Sequence, residues 1–232
     1  IDPNVKEIYV TLYRVAADSH IVNALISAAR NGKKVTVFVE LKARFDEANN
    51  LKWSKKMKLA GVRIINSIPR LKVHAKVALI KRMEGKEMRN YSFLATGNFN
   101  EATGRFYTDH VMFTANPEFG TELGWLFDYL QSRIQPTEYG KIPFKHLLVS
   151  QFNLIKRFSQ LIDREIDNAK AGKPASIIIK VNNLQERGMI AKLYKASRAG
   201  VKVHMLVRSI CALAPGVPGQ SENITVYRII DR

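Results

Sequence analysis

Apolar and polar positions alternate in two periods along the first part of the chain. Residues 8–13 (IYVTLY) are β-branched and aromatic, the composition of a strand. Asp18 or Ser19 can cap a helix whose apolar positions Ile21, Val22, Leu25 and Ala28 recur at helical spacing, and Gly32 falls where that helix should end. Residues 34–41 predict a second strand. Asn49 or Asn50 opens a second helix closed by Gly61, and residues 62–65 predict a third strand. This β-α-β-α-β order predicts helices packed on a largely parallel sheet. From Leu71 the pattern becomes strand, turn, strand: residues 72–80 and 91–96 predict strands around a charged turn at 83–90. Residues 109–114 predict a further strand, and Asn116-Pro117 starts a helix running to Leu130. Residues 132–144, with Pro136, Gly140 and Pro143 and little periodicity, predict a linker.

Beyond that linker the opening pattern returns. A gapless shift of 168 positions lays residues 8–40 on 176–208. Leu25 then meets Leu193, Ala28 meets Ala196, Gly32 meets Gly200, Lys34 meets Lys202, Val35 meets Val203 and Val39 meets Val207. Any two β-α-β units share part of such a match, but its extent predicts an internal duplication. The expectation is an α/β chain of two related domains, 1–140 and 141–232, the second lacking the strand that would match the one carrying His74.

Composition sets the class. Hydrophobic residues make up 46% and charged residues 25%, the balance of a globular protein. No apolar run reaches the roughly 18–20 residues that span a bilayer; residues 35–41 come nearest and are broken by Thr36 and Glu40. The first residues read as structured sequence rather than a signal peptide. A lone Cys211 cannot form an internal disulfide, so a cytoplasmic setting is expected. The charge changes the picture more: 37 Lys and Arg against 20 Asp and Glu give +17. Such a field gathers anions, whether nucleic acid, anionic lipid, nucleotides or polyphosphate. Composition does not choose among them.

The candidate chemistry lies in Leu71-Lys72-Val73-His74-Ala75-Lys76-Val77. On a strand, Lys72, His74 and Lys76 share one face and Val73, Ala75 and Val77 the other. An imidazole between two ammonium groups is disfavoured as a cation, so it stays neutral and nucleophilic near neutral pH while the lysines attract phosphate oxygens. A half-exposed strand with a basic outer face would give the same pattern. Downstream, Gly97-Asn98-Phe99-Asn100 follows a strand and offers amide groups that can orient an imidazole or a phosphate, although Gly-Asn-x-Asn is also a common turn. His20, His110, His146 and His204 lack a His-x-Lys context and read as structural or solvated, and Trp53 and Trp125 fall in helical patterns and read as packing residues. No Cys/His cluster has zinc spacing, and no glycine-rich P-loop is present.

His-x-Lys followed at this distance by Gly-Asn-x-Asn resembles the phospholipase D superfamily signature. That superfamily places an acid five positions after the Lys, where Lys81 stands here. The departure speaks against an ordinary phosphodiesterase and suits the polyphosphate kinase branch. Residues 11–16 (TLYRVA), 39–47 (VELKARFDE), 71–76 (LKVHAK), 96–101 (TGNFNE) and 107–109 (YTD) all resemble that family. So do residues 163–166, 182–184 and 206–208, so the likeness covers essentially the whole chain. It implies two phospholipase D-like α/β domains and reversible transfer of the ATP γ-phosphate to polyphosphate through a phosphohistidine at His74, with Lys76 beside it. It implies that Arg14 and Arg44 belong to the family's magnesium-phosphate site; a guanidinium cannot ligate Mg²⁺, so both are expected to hold phosphate oxygens. Tyr107, Arg208, Asn98 and Asn100 are implied as ATP or phosphate contacts. The implied partners are ATP or ADP and inorganic polyphosphate, with no nucleic acid. The full-length protein is expected to be a homo-oligomer, cytoplasmic with an option of peripheral membrane association. The family's second essential histidine is expected just past Arg232 and the amino-terminal domains before Ile1, so the 232-residue chain alone is expected to be inactive or nearly so. Two other readings stay open: a phospholipase D-like phosphodiesterase or nuclease, and a non-catalytic polyanion-binding module.

Overall fold

The computed structural model describes residues 2–41 and 47–228. The chain divides into two compact units, Ile1–Leu147 and Leu148–Arg232. In the first, β1 (Val5–Leu12), β2 (Lys34–Val39), β3 (Arg63–Asn66), β4 (Val77–Glu84), β5 (Glu87–Ala95) and β6 (Val111–Thr114) form one sheet in the order β3-β2-β1-β4-β5-β6. Strands β1, β2 and β3 are parallel, but β4, β5 and β6 run antiparallel to their neighbours. The expected parallel sheet is therefore only half of what forms. A turn as short as Gly85-Lys86, flanked by the pair Glu84 and Glu87, can join only antiparallel strands.

The charges at 83–90 belong to that hairpin and not to a long turn. Arg82 stands opposite Arg89 and Glu84 opposite Glu87, and Glu84 offsets both like-charge pairs by accepting from Arg82 Nη1 along its own strand at 3.1 Å and from Arg89 Nη1 diagonally across the hairpin at 3.0 Å. The strand expected from residue 72 starts only at Val77. Ahead of it the Thr11 hydroxyl donates to the Ala75 carbonyl at 2.8 Å and accepts from Val77 N at 3.0 Å, so a side chain stands in for a rung of the ladder.

Two helices pack on one face of this sheet. Helix α1 (His20–Arg30) is capped by Ser19, which accepts from Val22 N at 3.2 Å, and Gly32 follows it at φ 77°. Helix α2 (Glu47–Leu59) begins ahead of Asn49 and Asn50. Those asparagines do not cap it. Asn49 donates to the Val15 carbonyl at 2.7 Å, and Asn50 donates to the carbonyls of Tyr13 at 2.8 Å and Glu40 at 3.0 Å, so they tie the helix to strand ends. Val10, Leu12, Val22, Leu25, Val37, Val39, Trp53 and Met57 form the core between these helices and the sheet, each full burial contributing about 1.5–3 kcal/mol. Helix α3 (Pro117–Ser132), capped by Asn116, covers the opposite face, where the Phe127 ring lies 5.4 Å from Tyr9. The expected linker contains a short helix, α4 (Pro136–Tyr139).

The second unit carries a π-helical turn at Ser150–Leu154, then α5 (Ile155–Lys170), β7 (Ser176–Val181), α6 (Arg187–Arg198), β8 (Lys202–Val207) and β9 (Ile224–Tyr227). Its three strands are parallel in the order β7-β8-β9. Ile162 and Ile166 of α5 and Leu193 of α6 bury against Val203 and Met205. The gapless match of the sequence holds for helix, glycine and second strand but slips by one residue on the first. Glu7 pairs with Lys34 in the first unit, whereas Ser176 pairs with Lys202 in the second. Ile8, Val10 and Leu12 therefore correspond to Ile177, Ile179 and Val181, the residues that face their respective cores. A one-residue slip exchanges the faces of a strand, so burial decides the register that sequence identity could not.

Candidate active site

The segment 67–76 leaves β3 and crosses the ends of β1 and β2 before β4 begins. Lys72 and His74 are exposed, and Lys76 is only 5% exposed. All three gather on one aromatic ring. The His74 imidazole meets Tyr13 edge-on with centroids 4.4 Å apart, Lys72 Nζ lies 5.5 Å from the Tyr13 centroid and Lys76 Nζ lies 5.3 Å from it. The negative face of the ring offsets part of the repulsion among the cations. The alternation expected of a strand thus survives in an irregular segment, with Tyr13 supplying what a ladder does not.

Lys76 Nζ lies 2.8 Å from His74 Nδ1 and donates to the His74 carbonyl at 2.6 Å. Partial loss of water, then the charges of Lys76, Lys72 and Arg14, lower the His74 pKa from 6.5 to about 4. Burial also lowers Lys76 from 10.5 to about 8, with Arg14 acting in the same direction and Asp109 opposing it. The ring is neutral at pH 7 and the ammonium beside it is easily deprotonated for a lysine.

Arg14 follows β1 and is near enough for its charge to act on both His74 and Lys76. Arg44 lies outside the described residues. In the loop after β5, Gly97 packs closely on Asp109, whose side chain would have to move to admit a Cβ there. That aspartate accepts from Thr96 Oγ1 at 2.9 Å and fixes the loop's exit. Asn98 buries its side-chain carbonyl oxygen without a hydrogen-bond donor among the described residues. Asn100 uses its own for structure, accepting from Ala102 N at 3.1 Å and Thr103 N at 3.0 Å to cap the 3-10 turn Thr103–Arg105. Glu101 ties the same loop to α1 by accepting from Ser19 Oγ and Ile21 N. Tyr107 is 56% exposed beyond that turn. Arg208 belongs to the second unit, where its Nε donates to Asn182 Oδ1 at 2.8 Å on an exposed strand end. Lys81, at the position of the superfamily's acid, pairs with Glu7 at 3.1 Å.

Sequence reasoning missed Tyr13 and Glu40. Glu40 is fully buried and accepts from Ser67 Oγ at 2.6 Å and from Val73 N at 2.9 Å. Its signal is legible: a carboxylate inside an apolar strand run must have partners. Among the described residues no group of three His, Cys, Asp or Glu side chains could hold a metal ion. The Arg14 guanidinium has no lone pair to offer. Arg14 could therefore act on a metal only through phosphate oxygens that carry it.

Residues 1–136 match the family model for polyphosphate kinase C-terminal domain 1, and residues 147–232 match C-terminal domain 2. The chain is 49% identical over 231 residues to the polyphosphate kinase of Vibrio vulnificus strain YJ016, covering 100% of this chain and 32% of that protein. It is 45% identical to the polyphosphate kinase of Escherichia coli K12, covering 100% of this chain and 33% of that protein. The crystal structure of polyphosphate kinase from Porphyromonas gingivalis superposes with a TM-score of 0.85 at 46% identity, covering 100% of this chain and 38% of that one. The chain thus spans about a third of the length of the curated relatives it matches. With both domain models matched in order along nearly all of its residues, the chain belongs to the polyphosphate kinase family.

Proposed function

We propose that this chain carries part of the active site of an enzyme that moves the γ-phosphoryl group of ATP reversibly onto the end of polyphosphate, through a covalent phosphohistidine at His74. The observation that carries the reading is a neutral, solvent-accessible imidazole set among Lys72, Lys76 and Arg14. A neutral ring is needed to attack, and cations are needed to bring a polyanion to it.

The contact of 2.8 Å between Lys76 Nζ and His74 Nδ1 sets the proton inventory. An ammonium can only donate, so with Lys76 charged the ring hydrogen stands on Nε2. Attack from Nε2 needs that hydrogen on Nδ1 instead. A phosphate oxygen that draws the Lys76 ammonium away from Nδ1 frees the imidazole to change tautomer through solvent. The Nε2 lone pair then forms the N–P bond as the bond from phosphorus to the ADP oxygen breaks, and ADP leaves with that electron pair. A terminal phosphate oxygen of polyphosphate displaces the imidazole in the second half-reaction. Arg14 and Lys76 neutralise the charge of the incoming phosphates; Arg44, Tyr107, Arg208, Asn98 and Asn100 are further contacts in this proposal. Mg²⁺ would travel on the phosphate oxygens, and no step depends on a protein ligand to it.

The test is labelling of the full-length protein with γ-³²P-ATP. An acid-labile, alkali-stable phosphoprotein is expected, and it should be absent from His74→Ala. Label persisting undiminished in that variant would end the assignment.

A further inference from the structure

Segment 67–76 bears His74 yet belongs to no helix or strand, so something other than a ladder must fix the imidazole. On one side of it the Thr11 hydroxyl holds the Ala75 carbonyl at 2.8 Å; on the other the amide of Val73, one residue away, donates to Glu40 Oε2 at 2.9 Å. The other carboxylate oxygen accepts from Ser67 Oγ at 2.6 Å, and Ser67 Oγ in turn accepts from Leu41 N at 3.0 Å. Glu40 itself is held at both backbone ends: its N–H donates to the Leu12 carbonyl at 2.9 Å, and its carbonyl accepts from Asn50 Nδ2 at 3.0 Å. The same Asn50 amide donates to the carbonyl of Tyr13, the residue whose ring seats His74.

A carboxylate with no solvent exposure is costly to bury unless its hydrogen bonds are made. Here those bonds run to the start and to the middle of the segment that carries the imidazole. We infer that Glu40 is a positioning residue, whose buried carboxylate fixes the place of His74 by holding the Val73 amide and Ser67 to the end of β2. Its chemical consequence rests on the phosphohistidine reading; its structural consequence does not. An anchor one residue from a reacting group matters because attack needs near-in-line geometry, and small displacements lower rates steeply.

Three variants of the full-length protein separate the possibilities. Glu40→Ala removes both acceptors. Glu40→Asp keeps the charge but withdraws it from Val73, and serves if the alanine variant fails to fold. Glu40→Gln can present its oxygen to Val73 N–H and its amide to Ser67, so it is the conservative rescue. Hydrogen exchange of the peptide spanning residues 68–76 is read by mass spectrometry, and phosphoenzyme formation by rapid quench. For Ala or Asp the expected result is exchange at least tenfold faster in that peptide alone. Labelling should be about thirtyfold slower with the KM for ATP within twofold, and Gln should recover most of both. Unchanged exchange in the Asp variant, or loosened exchange with an unchanged labelling rate, overturns the inference. If the natural protein forms no phosphoenzyme, the phosphohistidine reading fails, while the exchange arm still decides whether Glu40 anchors the segment.

Discussion

In both units a helix ends on a left-handed glycine and feeds a buried strand: α1, Gly32 and β2 in the first, α6, Gly200 and β8 in the second. Each strand then places the next residue's N–H on the carbonyl that ends the neighbouring strand, Glu40 on Leu12 and Arg208 on Val181. At that shared backbone position the side chains have opposite charge and opposite fates. Glu40 is buried and holds the His74 segment; Arg208 is exposed and its Nε donates to Asn182. The residues that follow the first strands differ as well, Tyr13 and Arg14 against Asn182 and Asn183. One backbone frame has thus been fitted with a scaffolded imidazole in one unit and with an open, cationic strand end in the other. The scaffold is shared and the chemistry is local to each strand end.

Exchanging the two charges should break that contrast most sharply. Glu40→Arg puts a cation where Ser67 and Val73 point donors. Like other buried ionic mismatches it should destabilise the first unit by about 3–5 kcal/mol. Arg208→Glu changes an exposed side chain whose partner among the described residues is one asparagine, so stability should change by less than about 0.5 kcal/mol. Urea melts of the two variants decide the matter; equal losses would mean that the two positions are not different in kind.

The sheets differ on their second faces too. Tyr9, 8% exposed beneath Phe127 of α3, corresponds in register to Ile178, which is 77% exposed on β7. Tyr9→Ala should cost about 3 kcal/mol, as for other buried aromatics, and Ile178→Ala less than about 0.5 kcal/mol. Denaturant midpoints measured for both variants would show it. A large loss at Ile178 would mean that this face is covered in the protein as tested.

These contrasts also show what the sequence discloses. The Ser19 and Asn116 caps, the glycine after α1 and the strand at 34–39 were legible because each is fixed by neighbours within a few residues. The late start of β4 was not, since the hydroxyl that displaces its first rung belongs to Thr11, more than sixty residues away. The charges at 83–90 looked like a turn because the diagonal pairing of Arg89 with Glu84 across the two strands is visible only once the hairpin has closed. Helix α5 went unpredicted although Ile155, Phe158, Ile162 and Ile166 recur at helical spacing, a signal that was present in the residues. At the site, His74 and Lys76 could be read from spacing. Glu40, Ser67 and Tyr13 could not, because their partners are set by the order of strands in the sheet.

A pH profile sharpens the comparison at smaller scale. Catalysis as proposed needs His74 neutral and Lys76 charged in the free protein. The His74 pKa is lowered from 6.5 to about 4, so the acid limb of kcat/KM should fall about tenfold per unit only below about pH 4, not below 6.5. Lys76, lowered to about 8, should set an alkaline limb near that pH. The stability linkage has a matching sign. A depressed histidine resists protonation in the native state, so its contribution is complete above about 6.5 and lost as pH falls toward 4. Arg208→Glu should lower the whole profile without moving either limb. A limb that moves with Arg208 would couple the two strand ends, against the local reading given to each.

The smallest effect tests what the units share. Gly32 at φ 77° and Gly200 at φ 94° both close their helices in the left-handed region, and a Cβ added at either meets nothing within 4 Å. With space open on all sides, the only penalty for alanine is the backbone conformation itself, about 1 kcal/mol at each position. Near-equal losses from Gly32→Ala and Gly200→Ala, measured by urea denaturation of each unit's transition, would mean that the frame is energetically the same in both. A loss at one position several times that at the other would place the divergence of the two units in the backbone as well as in the side chains at its strand ends.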